Sequence, residues 1–536
     1  MKKTMKRHSF ITRLASLAVV CGLTLAFASC ANEDLAQNNK TTTDDKGLTA
    51  FCTGEPATRT TMEADGKFYW EAGDKIWVKD DSGNWKQSSN SPTGKTASFK
   101  FLMPGNYNAK SSYEVYYPGK NGNQNQVTIS ANQTQTEPNT TAHFGTSGDC
   151  GIAKATRNAT SHEFEFALDH KAAYLVFKPY TSNDVLKYCY LTKIEVTSDN
   201  DIASTSTYTL DPTADTGAGA LTGTGNGKQI VLETKGNGAY TNGFPLTNTS
   251  ASLTTNGAYM VIKPGTHTLR IRYWVKDVAT NIEGTITKII PSHTFAKNEY
   301  VNMEADLQIK NYDGDHYYMW DAEKQYWEGY EWTKNLPGNT GQPTLNNLYS
   351  PNYPQSNSDS RWYNENYPGY GVSNPATHTS CKDLPNANEM SWYVMYGDPR
   401  WDADELWTIM GHLYKGGMWF KKKSVLLAEG NYNTEKSADG TTDLRTTVRG
   451  YYYSNSNIYN LGVPSAADAG NYFFLPPLGF YVSGSLDHIG SNGNYWSSSA
   501  NPWSSGYAYY LYFDRSTVSV SYNGRGYGFR AEALFE

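Results

Sequence analysis

Hydrophobic and polar positions alternate with a period of two through much of the chain between residues 51 and 307. Short β-branched or aromatic runs are separated by Gly, Asn and Pro, and the runs have the lengths of strands. Such runs occupy residues 75–79, 113–117, 173–177, 193–197 and 268–275. The pattern favours β-sandwiches, and the length of the segment favours two in tandem, over residues 51–180 and 181–307.

The pattern changes near residue 307, because residues 307–536 hold 27 of the 41 Tyr and 10 of the 14 Trp. Helical spacing is found at residues 384–396, where Met390, Tyr393 and Val394 share one face behind a Pro and Asn cap signal. Apolar residues also recur every three or four positions over residues 403–413, which predicts a second helix. Strands resume at 472–475, 507–513 and 518–522. We therefore expect an aromatic-rich α+β module over residues 308–536, and a chain that is mainly β.

The N-terminus carries an export signal. A basic head is followed by an apolar run over residues 14–27, which is shorter than the roughly 20 residues that span a bilayer. Small residues then precede Cys30, as in a bacterial lipobox; an ordinary secretory cleavage site beside this cysteine is the alternative. Residues 1–29 are thus predicted to be a lipoprotein signal peptide and Cys30 the lipidated residue. The polar residues 30–50 are predicted to be a flexible tether. Asn32, Glu33 and Asp34 resemble the acidic tag that directs lipoproteins of the Bacteroidales to the outer face, which implies the surface of the cell outer membrane.

Charge and cysteine content narrow the classes of function. The net charge is −6 and only 18% of residues are charged, without a large basic patch, so nucleic acid is not expected as a partner. The mature chain keeps Cys52, Cys150, Cys189 and Cys381. Four scattered cysteines predict neither a disulfide framework nor a zinc site, although one disulfide of undetermined pairing is open.

Three patterns in the first half resemble the fimbrillin-like proteins of the Bacteroidales, which are subunits and accessory proteins of fimbriae. The patterns are TRT at 58–60 with WEAGDKIWV at 70–78, FALDHKAA at 166–173, and MVIKPG at 260–265 with FAKNEY at 295–300. The resemblance implies two tandem β-sandwich domains and assembly by donor-strand exchange with other fimbrial subunits. It also implies cleavage after an Arg near the first strand, for which Arg59 is the candidate; an ordinary surface Arg is the alternative.

The last part resembles the Fibrobacter-succinogenes-type paralogous domain and, more distantly, C-type-lectin-like folds. The resemblance rests on LPNANE at 384–389, FLPPLG at 474–479, GNYWSSS at 493–499, AYYLYF at 508–513 and GYGFR at 526–530. Ser497 and Ser498 stand where calcium-binding lectins have carboxylate and amide ligands, so no metal is expected. The resemblance implies a module that binds a ligand.

No catalytic motif appears in its required context, and we expect neither an enzyme nor a cofactor. His170 has no Ser or Cys motif to serve and is interpreted as structural. Asp402 and Asp404 are expected at the start of the second predicted helix, where carboxylates favour the helix dipole.

Aromatic residues of the last part are the candidates for ligand contact, since aromatic faces stack on sugar rings and Tyr hydroxyls bond to sugar hydroxyls. The candidates are Trp503, Trp496, Tyr507 and Tyr509. The alternative is that these aromatics fill the core of the module.

The sequence therefore predicts a fimbrial tip or accessory subunit that binds a host or microbial glycan or a matrix protein. A surface lipoprotein that binds or degrades glycans for nutrient uptake is the rival hypothesis, and an anchor or regulator subunit that never leaves the membrane is a third. Degradation would require two carboxylates facing each other across an aromatic groove.

Overall fold

The computed structural model describes residues 47–532 except 54–60, 63–67, 448–452, 457, 459 and 460. Cys30 and Arg59 therefore lie outside the described residues, as do the signal peptide and most of the predicted tether. The tether prediction extends too far, because a strand already begins at Leu48. None of the described helices is long and apolar enough to cross a bilayer.

Strands dominate, which confirms the mainly β fold class. The first strands are β1 (Leu48–Thr53), β2 (Thr61–Met62), β3 (Phe68–Tyr69), β4 (Trp77–Lys79), β5 (Trp85–Gln87), β6 (Lys100–Pro104), β7 (Ser112–Tyr117), β8 (Gln126–Val127), β9 (Asn132–Thr134), β10 (Gly151–Arg157), β11 (Phe164–Phe166) and β12 (Asp169–His170). Those that follow are β13 (Ala173–Tyr180), β14 (Tyr190–Ser198), β15 (Ala203–Ser204), β16 (Tyr208–Asp211), β17 (Ala220–Thr222), β18 (Asn226–Gly227), β19 (Gln229–Glu233), β20 (Phe244–Pro245), β21 (Ala258–Ile262), β22 (Gly265–Lys276), β23 (Glu283–Phe295) and β24 (Tyr300–Asp306). The last are β25 (Asn311–Tyr312), β26 (Tyr317–Tyr318), β27 (Arg400–Ile409), β28 (His412–Lys421), β29 (Ser454–Asn455), β30 (Tyr472–Leu475), β31 (Phe480–Val482), β32 (Ser485–Asp487), β33 (Gly493–Ala500), β34 (Tyr507–Phe513), β35 (Val518–Gly524) and β36 (Phe529–Arg530).

Helices are short. They are α1 (Phe144–Ser147), α2 (Leu253–Asn256), α3 (Ala387–Tyr396) and α4 (Lys423–Ala428), with 3₁₀ turns at Leu186–Tyr188, Asp215–Gly217, Gly238–Tyr240, Trp332–Lys334 and Ala469–Asn471. The helix predicted over residues 384–396 is confirmed as α3. Its first turn is fixed by a capping box, in which the Asn386 side chain accepts the Glu389 N–H and the Glu389 carboxylate accepts the Asn386 N–H.

The N-terminal part is one curled sheet with the strand order β5-β4-β7-β10-β11-β1-β6, with β12 also pairing with β10. Its two edges meet, because the Ser89 N–H donates to Leu102 O (2.8 Å) and the Asn90 amide bonds to the backbone of β6. Aromatic side chains fill the interior, among them Phe51 and Phe164. Strand β1 lies inside this sheet and not at its edge.

The central sandwich packs a sheet β21-β13-β24 against a longer sheet that contains β22, β14, β19 and β9. The longer sheet follows the predicted alternation, because Leu269, Ile271, Tyr273 and Val275 are buried in the sandwich core. The cores do not divide at residue 180, since β13, α1 and the β8–β9 segment all pack in the sandwich. Strands β10–β12 belong to the N-terminal sheet. The chain therefore passes from that sheet into the central sandwich just before β13.

The helix predicted over residues 403–413 is wrong. Strands β27 and β28 form a hairpin there, with Met410 and Gly411 at positive φ in the turn. Asp402 and Asp404 accordingly lie in a strand and not at a helix start. Strand β27 also pairs in parallel with β23 at Thr285 and Glu405, so the C-terminal module continues the long sheet of the sandwich.

The C-terminal module, residues 308–532, is an α+β unit. Its main sheet has the order β26-β36-β33-β34-β35-β29, and α3 packs on it to close a large aromatic core. A second aromatic cluster on the other side of this sheet includes Trp320, Trp496 and Phe529. Both faces of β33 and β34 are therefore covered.

Candidate functional site: an aromatic surface of the C-terminal module

The loop between β33 and β34 and the first residue of β34 each carry one exposed aromatic side chain. Trp503 is 58% exposed and Tyr507 is 41% exposed. The loop is held by Asn501, whose buried side-chain oxygen accepts the N–H groups of Trp503 (2.9 Å) and Ser504 (3.2 Å). Such side-chain-to-backbone bonds stabilise a turn and fix the direction in which the loop leaves the sheet.

A second loop, residues 366–375, runs beside the first. The Gly371 N–H donates to Pro502 O (2.8 Å), and Pro375 forms a bridge with Ser499. Tyr370 is 71% exposed and Val372 is also exposed. We call Tyr370, Val372, Trp503 and Tyr507 the aromatic surface, since these four exposed side chains belong to two adjoining loops and to the start of β34.

The buried Arg525 side chain links the two loops through hydrogen bonds to their backbone. This fully buried guanidinium donates to Tyr507 O (3.1 Å), Asn364 O (2.8 Å) and Asn366 O (3.1 Å), and it stacks on the Trp320 ring. Burial lowers the pKa of Arg525 to about 10, so the group is still a cation at neutral pH. The aromatic surface is thus mounted on a rigid support, which favours recognition because less entropy is lost on binding.

A polar pocket of about 150 Å³ lies between the same loops and the start of α3. Its wall presents the side chains of Asn374, Asn386, Ser498, Ser499 and Arg445. Hydrogen bonds to Asp443 and Glu435 raise the pKa of Arg445 above its ordinary value. Amide, hydroxyl and guanidinium groups can bond to sugar hydroxyls, and aromatic rings can pack on the C–H faces of a sugar.

The structure corrects two of the four predicted ligand residues. Trp496 is only 1% exposed, donates its indole N–H to Tyr318 O (2.8 Å) and packs on Phe529. Tyr509 is buried in the core beneath α3. Both lie on strands that are covered on two faces, so they support the module and do not contact a ligand. Trp503 and Tyr507 stay predictions, because they are accessible.

Sequence reasoning missed Tyr370 and Arg525. The Pro, Gly and Tyr content of residues 367–371 is a loop signal that indicates an exposed aromatic. No signal identified Arg525, because two of its three backbone partners lie about 160 positions away in sequence.

The other residues singled out by the sequence have structural surroundings. His170 is buried, with Nδ1 2.8 Å from the Asp149 carboxylate. Cys150, Cys189 and Cys381 are buried free thiols, and Cys52, also buried, donates to Glu163. Within the described part of the chain, no three His, Cys, Asp or Glu side chains are grouped so as to hold a metal ion.

Comparisons with known proteins give likenesses of structure only. No protein-family model matches the chain, and no curated protein matches its sequence. A candidate cell adhesion protein from Bacteroides ovatus is 12% identical over 49% of this chain and 93% of that chain, with a TM-score of 0.29. The fimbrial anchor protein Mfa2 from Porphyromonas gingivalis is 11% identical over 46% of this chain and 82% of that chain, with a TM-score of 0.21.

A third solved structure extends over more of the chain. A fimbrial protein from Bacteroides ovatus is 10% identical over 89% of this chain and 96% of that chain, with a TM-score of 0.22. These identities and TM-scores are low, so the function of this chain has to be argued from its own residues.

Proposed function

We propose that the chain is an adhesive subunit of a fimbrial system, exported as an outer-membrane lipoprotein through Cys30, without catalysis or a cofactor. Its partners are other fimbrial subunits, and its ligand is a glycan or a matrix protein. The observation that carries the proposal is the position of β1, the first described strand, inside the N-terminal sheet.

Strand β1 has a neighbour on each side. It pairs antiparallel with β6, from Leu48 opposite Pro104 to Cys52 opposite Lys100, and parallel with β11, with Phe51 opposite Phe164. An N-terminal strand in this place can leave without unthreading the rest of the chain. Its loss would expose the hydrogen-bonding edges of β6 and β11 together, a template for another strand.

The side chains of β1 set the register. Phe51 is fully buried, stacks on Phe164 at 4.7 Å and meets the edge of Tyr107 at 5.3 Å. Removing β1 would therefore leave a groove with one deep aromatic pocket. In β-augmentation, main-chain hydrogen bonds supply affinity and pockets for alternate side chains supply specificity.

Arg59 follows the end of β1 by six residues. Cleavage after Arg59 would detach β1 and the lipid anchor from the folded protein, and a strand from a partner subunit would then occupy the groove. The chain would accept a donor strand in this way.

A synthetic peptide tests strand exchange directly. Full-length protein is cleaved after residue 59 and incubated with a labelled peptide of residues 47–58, and binding is followed by fluorescence anisotropy. We expect incorporation of this peptide and much weaker incorporation of a Phe51→Ala peptide, with a Thr49→Ala peptide as the matched control. Equal incorporation of all three peptides would refute the register described above.

The last described strand favours a distal position in a fibre. Strand β36 pairs with both β26 and β33, and the Arg530 side chain on it is buried. Releasing β36 as a donor would open the main sheet of the module. We infer that this subunit accepts a strand and does not donate β36.

The aromatic surface is the proposed ligand site. In many recognition sites a few aromatic residues supply most of the binding energy. Exposed rings on well-supported loops, with polar groups beside them, are suited to this role. We expect Trp503→Ala in the full-length protein to abolish binding on glycan and matrix-protein arrays. The control is Tyr188→Ala, which removes a strongly exposed ring from the central sandwich. Binding that survives Trp503→Ala would exclude this surface.

The rival function, glycan degradation, has one feature in its favour. Asp402 and Glu405 lie close enough that the charge of Asp402, after burial, helps to raise the pKa of Glu405 to about 7. The carboxylate of Glu405 already accepts hydrogen bonds from Thr285 and Thr287, however, and Asp402 accepts from Arg272 (2.8 Å). Both carboxylates hold the junction between sandwich and module together. Release of reducing sugar from a bound glycan, lost in Asp402→Asn, would favour the rival.

A further inference from the structure

A cavity of about 220 Å³ lies at the junction between the central sandwich and the C-terminal module. Strands β22 and β23 form one wall, and β27, β28, β30 and residues 463–470 form the others. The volume is below the roughly 300–1,000 Å³ of pockets for drug-sized ligands, so the cavity suits a single small ring. It is separate from the aromatic surface and shares none of its residues.

The alternation of β22 explains why this cavity is cationic. Leu269, Ile271 and Tyr273 face the sandwich core, so Arg270 and Arg272 fall together on the opposite face of the sheet. On a sandwich alone this face would meet solvent. The C-terminal module covers it, and the exposed fractions of Arg270 and Arg272 are only 8% and 7%.

The two guanidinium groups are incompletely satisfied. Arg270 donates to Pro464 O and to Thr197 Oγ1, and Arg272 donates to Thr285 Oγ1 (2.7 Å) and Asp402 (2.8 Å). The Nε–H of each arginine is buried and has no partner among the residues that the structure describes. A buried donor without an acceptor costs about 1–3 kcal/mol, more when it is charged.

The lining of the cavity holds more cationic than anionic side chains. Arg270, Arg272 and Lys422 line it, against one carboxylate, that of Asp402. Glu405 and Glu195 are the further carboxylates whose charges act on Arg270. Burial, together with the charge of Arg272, lowers the pKa of Arg270, and the charges of Glu195, Asp402 and Glu405 oppose this shift.

The remaining wall is apolar and partly aromatic. Trp419 lies beside Asp402, to which its indole N–H donates (3.2 Å), and Val463 and Tyr472 also line the cavity. A ligand that fits the whole cavity therefore needs an anionic group next to the arginines and a compact ring next to Trp419. An inorganic anion would satisfy only the first half.

We propose that this cavity binds one acidic sugar unit, a pyranose that bears a carboxylate or a sulfate, with the acidic group against Arg270 and Arg272. Arginine pairs with carboxylate and sulfate through parallel N–H donors, and both guanidinium groups line the cavity. A ligand at this junction contacts both bodies, so it also locks the module against the sandwich.

Calorimetric titration of the full chain tests the proposal with four probes: glucuronic acid, glucose 6-sulfate, glucose and inorganic sulfate. We expect one or both acidic sugars to bind and to raise the thermal unfolding midpoint, and glucose and sulfate to bind at least about tenfold more weakly, because each lacks half of the contacts. The two acidic sugars distinguish a carboxylate from a sulfate ester. Failure of both acidic sugars to bind, or equal binding of inorganic sulfate, would overturn the proposal.

Variants assign the site. Arg270→Gln should weaken binding by about tenfold, the loss of one charge-assisted hydrogen bond, whereas Arg515→Gln, an exposed arginine on the β34–β35 turn, should not. Gly470 lines the cavity with open space at its Cβ position, so Gly470→Glu adds a negative charge without removing a contact. We expect Gly470→Glu to weaken binding and Gly470→Gln to preserve it. Equal binding by these two variants would contradict the location.

Discussion

Replacing Phe51 by Ala measures how strongly β1 is held. The ring is fully buried between Phe164 (4.7 Å) and Tyr107 (5.3 Å), with Tyr113 at 6.5 Å. Transfer of the ring to water accounts for about 1.5–3 kcal/mol, and each lost aromatic pair adds about 0.5–1.5 kcal/mol. The lower part of this sum overlaps the roughly 3–5 kcal/mol seen when a buried Phe is cut to Ala. We therefore expect a loss of about 4 kcal/mol in the local free energy of opening.

Hydrogen exchange followed by mass spectrometry is the suitable assay, because it reports the stability of β6 and β11 separately from the rest of this multidomain chain. Peptides from both strands should exchange faster in Phe51→Ala. Thr49→Ala, a half-buried position on the same strand, should change the opening free energy by no more than about 0.5 kcal/mol. Unchanged protection of β6 and β11 in Phe51→Ala would refute the packing of β1.

Three further outcomes are expected. Cys30→Ser protein should not be labelled by a palmitate analogue in cells, since only the thiol takes the lipid; labelling of the variant would exclude a lipoprotein. Because the pKa of Glu405 is raised to about 7 from 4.5, the stability that its protonation gives is complete below about pH 4.5 and is lost as the pH rises through about 7. The unfolding midpoint of the wild type should thus fall relative to Glu405→Gln between about pH 5 and 8, and parallel curves would contradict this. In urea unfolding, Trp496→Ala should lose about 3–5 kcal/mol and Trp503→Ala less than about 0.5 kcal/mol; similar losses would reverse their assignment to core and surface.

Strands were predictable from the sequence where apolar residues alternate with polar or charged ones. Leu269, Ile271 and Tyr273 alternate with polar or charged residues. In a strand this alternation fixes which side chains face the core, because a shift by one residue would exchange the two faces. Helix α3 was predictable for a similar reason, since its cap residues and its buried face lie within one short segment. Local signals suffice when the partner of a residue is a few positions away.

The hairpin β27–β28 shows where local signals fail. Leu406 and Leu413 pack in the sandwich core, whereas Ile409 and Met410 pack in the core of the module. Because this hairpin contributes apolar residues to two separate cores, those residues recur every three or four positions, as they would in a helix. Only Gly411, in the turn at positive φ, pointed to the true structure.

The candidate site was predictable only in part. Aromatic content identified the module, but the exposed or buried state of each ring depends on what covers both faces of β33 and β34. Trp496 and Trp503 are seven residues apart and differ completely in exposure. The support from Arg525 and the enclosure of Arg270 by the module arise from long-range contacts, which the sequence does not reveal.

The N-terminal residue of the chain in assembled fibres tests the central claim most directly. Fibres are sheared from cells and the subunit is sequenced from its N-terminus, with an Arg59→Ala strain as the control. The account predicts a start at Thr60 in the wild type and loss of that product in the control, because β1 has to leave before a partner strand can enter. A chain in the fibres that still begins at Cys30 and retains β1 would contradict it.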